Sequence, residues 1–360
     1  MQPANGQTVD IPLLMPMTGV RAIDDPNTAL LQGIRRRAVR ACYVQAAVLV
    51  LLGCLVYTEV VDGADENLGY SGFLIVTLLL TTSFALWTHL PQLRRGKALL
   101  SRYGWRAAPA RVLADKPCLV RVSLEGRELT LRLRRINPVG RQVLLRTGTV
   151  WLCGPDEQGR ALARVAGSVG HAIADVTDAV PVGPPPVLTR PVSRRPGDDP
   201  GMIWARRSFH RAMLILLGVL VLLTGVGIGF LTENGSTGPG DAVFSPVLIV
   251  AVLLVVFGVG YVTGARQLAR FRQAPYWLPV QVSLDSWTGQ PNTSVRTGAG
   301  RIILPNGWRG YVDFPRLNFE LAANMRATGV LWLAGEPVPG KPVPVGLPGF
   351  PLRGVAKIRG

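Results

Sequence analysis

Ala212-Met213-Leu214-Ile215-Leu216-Leu217-Gly218-Val219-Leu220-Val221-Leu222-Leu223-Thr224-Gly225-Val226-Gly227-Ile228-Gly229-Phe230-Leu231 runs for twenty residues without a charged side chain. A helix needs about 20 apolar residues to cross about 30 Å of hydrocarbon. Three more predominantly apolar runs, Ala41 to Val61, Tyr70 to Leu90 and Phe244 to Gly264, bring the candidate spans to four, arranged as two hairpins. The fold class expected from these runs is membrane α-helical plus all-β: four transmembrane helices, each hairpin followed by a small β domain.

The flanks of the runs set an orientation. Gly33-Ile34-Arg35-Arg36-Arg37-Ala38-Val39-Arg40 precedes the first run, and the acidic Asp62-Gly63-Ala64-Asp65-Glu66 follows it. Arg94, Arg95, Lys97, Arg206, Arg207, Arg211, Arg266, Arg270 and Arg272 fall on the same side as the first basic cluster. Under the positive-inside rule the chain is expected to be a multi-pass bacterial plasma-membrane protein with both termini cytoplasmic. No signal peptide is read in Met1 to Gln32, which carries Asp10, Asp24, Asp25 and several prolines. The expected domains are a disordered N-terminal tail over 1–40, a hairpin over 41–90, a β domain over 91–180, a Pro/Arg-rich linker over 181–208, a second hairpin over 209–264 and a second β domain over 265–360.

The formal charge of +17 comes almost wholly from arginine, since Lys97, Lys116, Lys341 and Lys357 are the only lysines. Topology and attraction to an anionic surface account for that charge, and nucleic acid is disfavoured because no aromatic stacking platform is interleaved with it. Cys42, Cys54, Cys118 and Cys153 show no CxxC spacing and read as reduced apolar fillers.

The β domains read as a tandem duplication. Thr147-Gly148-Thr149-Val150-Trp151-Leu152 matches Thr328-Gly329-Val330-Leu331-Trp332-Leu333, and upstream Trp105 with Pro109-Ala110-Arg111-Val112 matches Trp277 with Pro279-Val280-Gln281-Val282. Val120-Arg121-Val122-Ser123-Leu124 alternates, turns at Glu125-Gly126-Arg127, and resumes as Leu129 to Arg134. Alternation puts Arg121, Arg132 and Arg134 together on one polar face. Asn306-Gly307 is a hairpin-turn signal in the second copy. Each domain has the length of a five- or six-strand barrel or sandwich.

Catalytic chemistry finds little footing. HExxH, Cys/His zinc, GxSxG and Walker patterns are absent, so no catalytic, metal or cofactor-binding residue and no cofactor is assigned. Gly225 with Gly229 and Gly260 with Gly264 are small-xxx-small pairs that suit close helix packing. The arginine face of Arg121, Arg132 and Arg134 is the candidate docking surface for anionic phospholipid headgroups or an unknown protein partner.

With Trp105, Pro109-Ala110-Arg111-Val112 and Thr147 to Leu152 in this layout, the chain resembles uncharacterised integral membrane proteins of high-GC bacteria. It is also distantly similar to NfeD-type proteins, a resemblance that implies an OB-like barrel after membrane helices. The function expected is a non-enzymatic, membrane-anchored scaffold or regulatory protein that presents two cytoplasmic β modules and is compatible with homo-oligomers. A small transporter or channel subunit is the alternative, and a membrane enzyme using His171 and Asp175 is third.

Overall fold

The structure, a computed structural model, describes residues 11–61, 82, 90, 93–134, 136–180, 186–187, 192–233, 258–259, 261–288 and 295–359. Helix α1 (Pro26–Val61) is followed in the described chain by α2 (93–102). Then β1 (Arg106–Asp115), β2 (Cys118–Leu124), β3 (Arg127–Arg134), α3 (Pro138–Thr147), β4 (Thr149–Cys153), β5 (Arg160–Val165) and β6 (Ala172–Val176) build the first β domain. The plan recurs as α4 (Pro200–Glu233), α5 (261–273), β7 (Trp277–Thr288), β8 (Val295–Ile303), β9 (Arg309–Asn318), α6 (Phe319–Thr328), β10 (Val330–Ala334), β11 (Pro342–Gly346) and β12 (Arg353–Arg359).

Each set of six strands closes into an antiparallel barrel. The orders are β1-β2-β3-β6-β5-β4 and β7-β8-β9-β12-β11-β10, the same path in both copies. Closure pairs every strand on both sides and leaves the fold without a sheet edge. Local chemistry explains the corners. Glu125 and Gly126 both have positive φ (52° and 79°), as a two-residue turn matched to strand twist requires. In α3 the Asn137 side chain accepts from Gly140 N at 2.6 Å, Pro138 opens the helix, and Gly148 in the left-handed region closes it. Asn318, whose side chain accepts from Glu320 N, and Gly329, in the left-handed region, cap the two ends of α6.

Hydrogen-bonded register fixes which residues are equivalent. Ala107 faces Trp151 and Pro279 faces Trp332, so Trp105 and Trp277, each two residues earlier, hold the same position. Pro109 therefore corresponds to Gln281 and not to Pro279, a correction of two residues to the sequence match. Ala110 N to Gly148 O and Val282 N to Gly329 O are likewise the same bond in the two barrels, each at 2.8 Å.

The reading of the apolar runs is corrected. Among the described residues no helix is long and apolar enough to cross a membrane. This overturns the membrane α-helical fold class and the multi-pass plasma-membrane assignment with its cytoplasmic termini. The reason is that an apolar run is not an element: Ala41 to Val61 and Ala212 to Leu231 are the later parts of α1 and α4, whose earlier parts carry Arg35, Arg36, Arg37 and Arg40, or Arg206, Arg207 and Arg211. Tyr70 to Leu90 lies outside the described residues except for Thr82 and Leu90, as does Phe244 to Gly264 apart from 258–259 and 261–264. For residues 11–40 the expected disordered tail is also corrected, because Leu14, Ala22, Thr28 and Gln32 are buried and α1 begins at Pro26; residues 1–10 lie outside the described residues.

Two compact units result. One holds Met1–Arg35, Gln92–Ala205 and Ala269–Gly360, and so contains both barrels. The other holds Arg36–Pro91 and Arg206–Leu268. In the first, one continuous apolar core includes Leu131, Leu144 and Leu152 with Phe314, Leu317 and Val345. In the second, Phe209 stacks on Tyr261 at 5.8 Å and Thr82 Oγ1 donates to Gln45 Oε1 at 3.3 Å. Val44, Val50, Leu51, Leu214 and Ile215 are more than three-fifths exposed.

Candidate functional site

Asp25, Thr28, Gln32 and Arg35 recur at three- and four-residue intervals at the start of α1, which lines them along one helix face. All four are buried. The Asp25 carboxylate caps the helix, accepting from Asn27 N at 3.1 Å, and also accepts from Thr28 Oγ1 at 2.9 Å. The same carboxylate accepts from Arg164 Nη1 at 2.9 Å, a contact between side chains 0% and 1% exposed. Arg164 Nε donates to Ser168 O at 2.5 Å, and its guanidinium lies 5.9 Å from the Trp105 ring.

Arg35 Nη1 lies 2.8 Å from His171 Nε2. A guanidinium can only donate, so Nε2 accepts and the neutral imidazole carries its proton on Nδ1. Burial, reinforced by the positive charges of Arg35 and Arg164, holds the His171 pKa well below the usual imidazole value. Burial also lowers the Arg35 pKa to about 10, against the favourable field of Glu320. Desolvation lowers Arg164 while Asp25 opposes the shift. Three donors in this cluster have no partner among the described residues: Arg164 Nη2, His171 Nδ1 and Gln32 Nε2.

The second barrel grips the first at the adjoining loop. Glu320 Oε1 on α6 accepts from Gly170 N at 2.8 Å and from Ser168 Oγ at 3.4 Å. Asn324 Oδ1 accepts from Leu14 N at 3.0 Å, and its Nδ2 donates to Gly167 O at 2.7 Å. In the opposite sense, Arg146 on α3 sets its guanidinium 5.9 Å from the Phe350 ring in the loop between β11 and β12. Gly167 has φ of 76°, and a Cβ there would lie 2.6 Å from Phe350 Cζ, so only glycine admits this packing.

Arg121, Arg132 and Arg134 all stand exposed on the outside of the first barrel. Arg134 Nε is committed to Asp175 Oδ2 at 2.6 Å, and Arg121 Nε comes only within 3.8 Å of Glu128 Oε2. The register adds Arg111, which faces Arg121 directly across β1 and β2. Among the described residues neither Arg111 nor Arg132 forms an ion pair. Like charges directly opposite on paired strands repel. The equivalent positions in the second barrel are Ser283, Arg301 and Asp313, with Arg301 Nη2 3.4 Å from Asp285 Oδ1. Among the described residues, a directly opposed arginine pair at these positions, with an unpaired Arg132 beside it, is found in the first barrel and not in the second.

The remaining expected residues do not join either cluster. A Cβ on Gly264 would fall 2.5 Å from Phe209 Cζ, so this glycine is in close packing contact. Gly225 and Gly229 lie in α4 but their surroundings, and Gly260 itself, are outside the described residues. His171 turns to Arg35 and Asp175 to Arg134, so the two do not converge. Burial pushes the Cys118 and Cys153 thiols up to about 11 and about 12, and both stay protonated at neutral pH. Among the described residues no three His, Cys, Asp or Glu side chains are placed to hold a metal ion.

Sequence reasoning missed the buried cluster, although Asp24-Asp25-Pro26 recurs as Asp198-Asp199-Pro200 and would have located both helix caps. No protein-family model, curated protein or solved structure matches the chain.

Proposed function

We propose that the protein is a non-enzymatic scaffold or regulatory protein whose paired barrels present the arginine face of the first barrel to anionic phospholipid headgroups. The observation that supports this reading is the cross-strand pair Arg111 and Arg121, with Arg132 on the neighbouring strand. Placing like charges opposite one another costs stability in isolation and becomes favourable when a layer of phosphates lies over them. The second barrel has the same strand path with serine and aspartate where the first has Arg111 and Arg132, so the fold itself does not require these arginines.

The test is cosedimentation of the full chain with vesicles of phosphatidylcholine alone or with phosphatidylglycerol, at low and high salt. Binding that needs phosphatidylglycerol, weakens as the Debye length falls, and is largely lost in Arg111→Gln/Arg121→Gln/Arg132→Gln supports the reading. Equal binding by the triple variant, or none by the wild type, overturns it. Binding to soluble polyglutamate but not to vesicles transfers the face to an acidic protein partner.

A further inference from the structure

Arg35 and His171 join the start of α1 to the first barrel. Arg35 Nη1 lies 2.8 Å from His171 Nε2, and the two residues are 8% and 6% exposed. The contact exists only while Nε2 keeps its lone pair, because a guanidinium has donors and no acceptor. A proton on Nε2 sets two donors against each other. It also adds a positive charge beside Arg35 and Arg164, where little water is present to screen it.

The charged groups around the ring come from α1, β5 and α6. Arg35 on α1 and Arg164 on β5 both oppose protonation. The carboxylates of the cluster are engaged elsewhere: Asp25, the cap of α1, pairs with Arg164, and Glu320 on α6 accepts from Gly170 N and Ser168 Oγ. From α2 the ring is approached by Gly96, and ahead of β1 by Trp105, neither of them ionisable.

The two sides of the contact are anchored unequally. His171 immediately precedes β6, which pairs with both β3 and β5 in the closed barrel. The start of α1 is held by side chains instead. Asp25 meets Arg164, Thr28 Oγ1 accepts from Trp105 Nε1 at 3.3 Å, and Leu31 and Ile34 pack against Leu14, Val169, Phe319 and Ala323. If the contact fails, the start of α1 is therefore the part that yields.

From this geometry we propose that Arg35 and His171 form an acid-sensitive latch, in which protonation of His171 turns an acceptor into a donor, releases residues 26–35 from the first barrel and uncovers Val169 and Phe319. Burial, then the two guanidiniums, hold the folded His171 well below its ordinary 6.5, so the closed latch binds the proton less tightly than the open one. The latch is closed above about pH 6.5 and loosens as pH falls below it. It does not involve the outer arginine face, and the vesicle experiment leaves it untouched.

The test is hydrogen exchange of the full chain, read by mass spectrometry one pH unit above and one below the ordinary imidazole value and corrected for the intrinsic pH dependence of exchange. With opening linked to one proton, exchange over residues 26–35 is expected to be about tenfold faster at the lower pH, while β2 and β9 stay unchanged. His171→Gln keeps an acceptor oxygen for Arg35 and cannot titrate. Arg35→Gln removes the opposing charge and can turn its own oxygen to a protonated imidazole. In both variants the acceleration is expected to fall to about threefold or less, with β2 and β9 exchanging as in the wild type at the higher pH to show that the barrels are folded. No acceleration over 26–35 in the wild type, an equal acceleration in β2 and β9, or the full acceleration in either folded variant overturns the proposal.

Discussion

Asp25 and Asp199 cap α1 and α4 at equivalent positions, each followed by a proline, yet they face different partners. The second oxygen of Asp25 meets the Arg164 guanidinium at 2.9 Å, whereas that of Asp199 accepts a backbone N–H, from Gly349, at 2.7 Å. The residue equivalent to Arg164 is Gly346: Arg164 faces Trp151, and Gly346 faces Trp332. A Cβ on Gly346 would lie 2.9 Å from Trp277, so the second tryptophan occupies the space over which the first holds an arginine.

Arg164→Met is expected to cost about 3–5 kcal/mol in denaturant unfolding, because it leaves the Asp25 carboxylate buried without its counter-charge. Adding Asp25→Asn removes the stranded charge and keeps a capping oxygen. The double variant should therefore recover a large part of the loss. Strictly additive losses would show that the two residues act independently.

Burial pushes Asp199 up to about 6, against the backbone donors Gly349, Met202 and Gly201 and the nearby Arg146 charge. Its folded-state value lies above the ordinary 3.8, so the folded form holds the proton more tightly than the unfolded form. The stabilisation from this group is complete below about pH 4 and is lost as pH rises through about 6, a change of at most about 3 kcal/mol. Comparing unfolding free energies of wild type and Asp199→Asn between pH 4 and 7 isolates it. The difference between them should shift in that window, and a constant difference would assign the pH dependence elsewhere.

Asn324→Ala strands Leu14 N and Gly167 O, both held by the amide in the wild type. A loss of about 2 kcal/mol is expected. Because this amide joins α6 of the second barrel to a loop of the first, hydrogen exchange should also accelerate at Gly167. Unchanged exchange there would mean that other contacts set the loop.

Trp332→Ala should cost about 3–5 kcal/mol, since the ring is 5% exposed in the second barrel. Trp151, its counterpart, is only half-buried, and its replacement should cost less. Thermal unfolding of the two variants checks the ranking.

How much of this was legible depends on the range of each signal. The alternation of Val120 to Leu124 and Leu129 to Arg134 is local, and these residues are β2 and β3. The recurrence of Thr-Gly-x-x-Trp-Leu is also local and marks the same turn and strand in both barrels. Helices α3 and α6 were not read, because ten residues give a weak period; the signals were the paired caps, Asn137 with Gly148 and Asn318 with Gly329. The cluster at Arg164 could not be read from neighbours, since its carboxylate lies 139 residues away. The apolar runs misled because hydropathy reports composition and not where a helix begins. Asp25-Pro26 and Asp199-Pro200 set those starts.

Two barrels with one strand path in one chain create a hazard of exchange, in which β10 to β12 close the first barrel and β4 to β6 the second. The pairing of Arg164 with Asp25 opposes it. An exchanged chain would drive a guanidinium into the space filled by Trp277, far from its carboxylate, and would leave Asp25 facing a glycine. A single divergent position thus makes the two halves non-interchangeable although both barrels follow the same strand path.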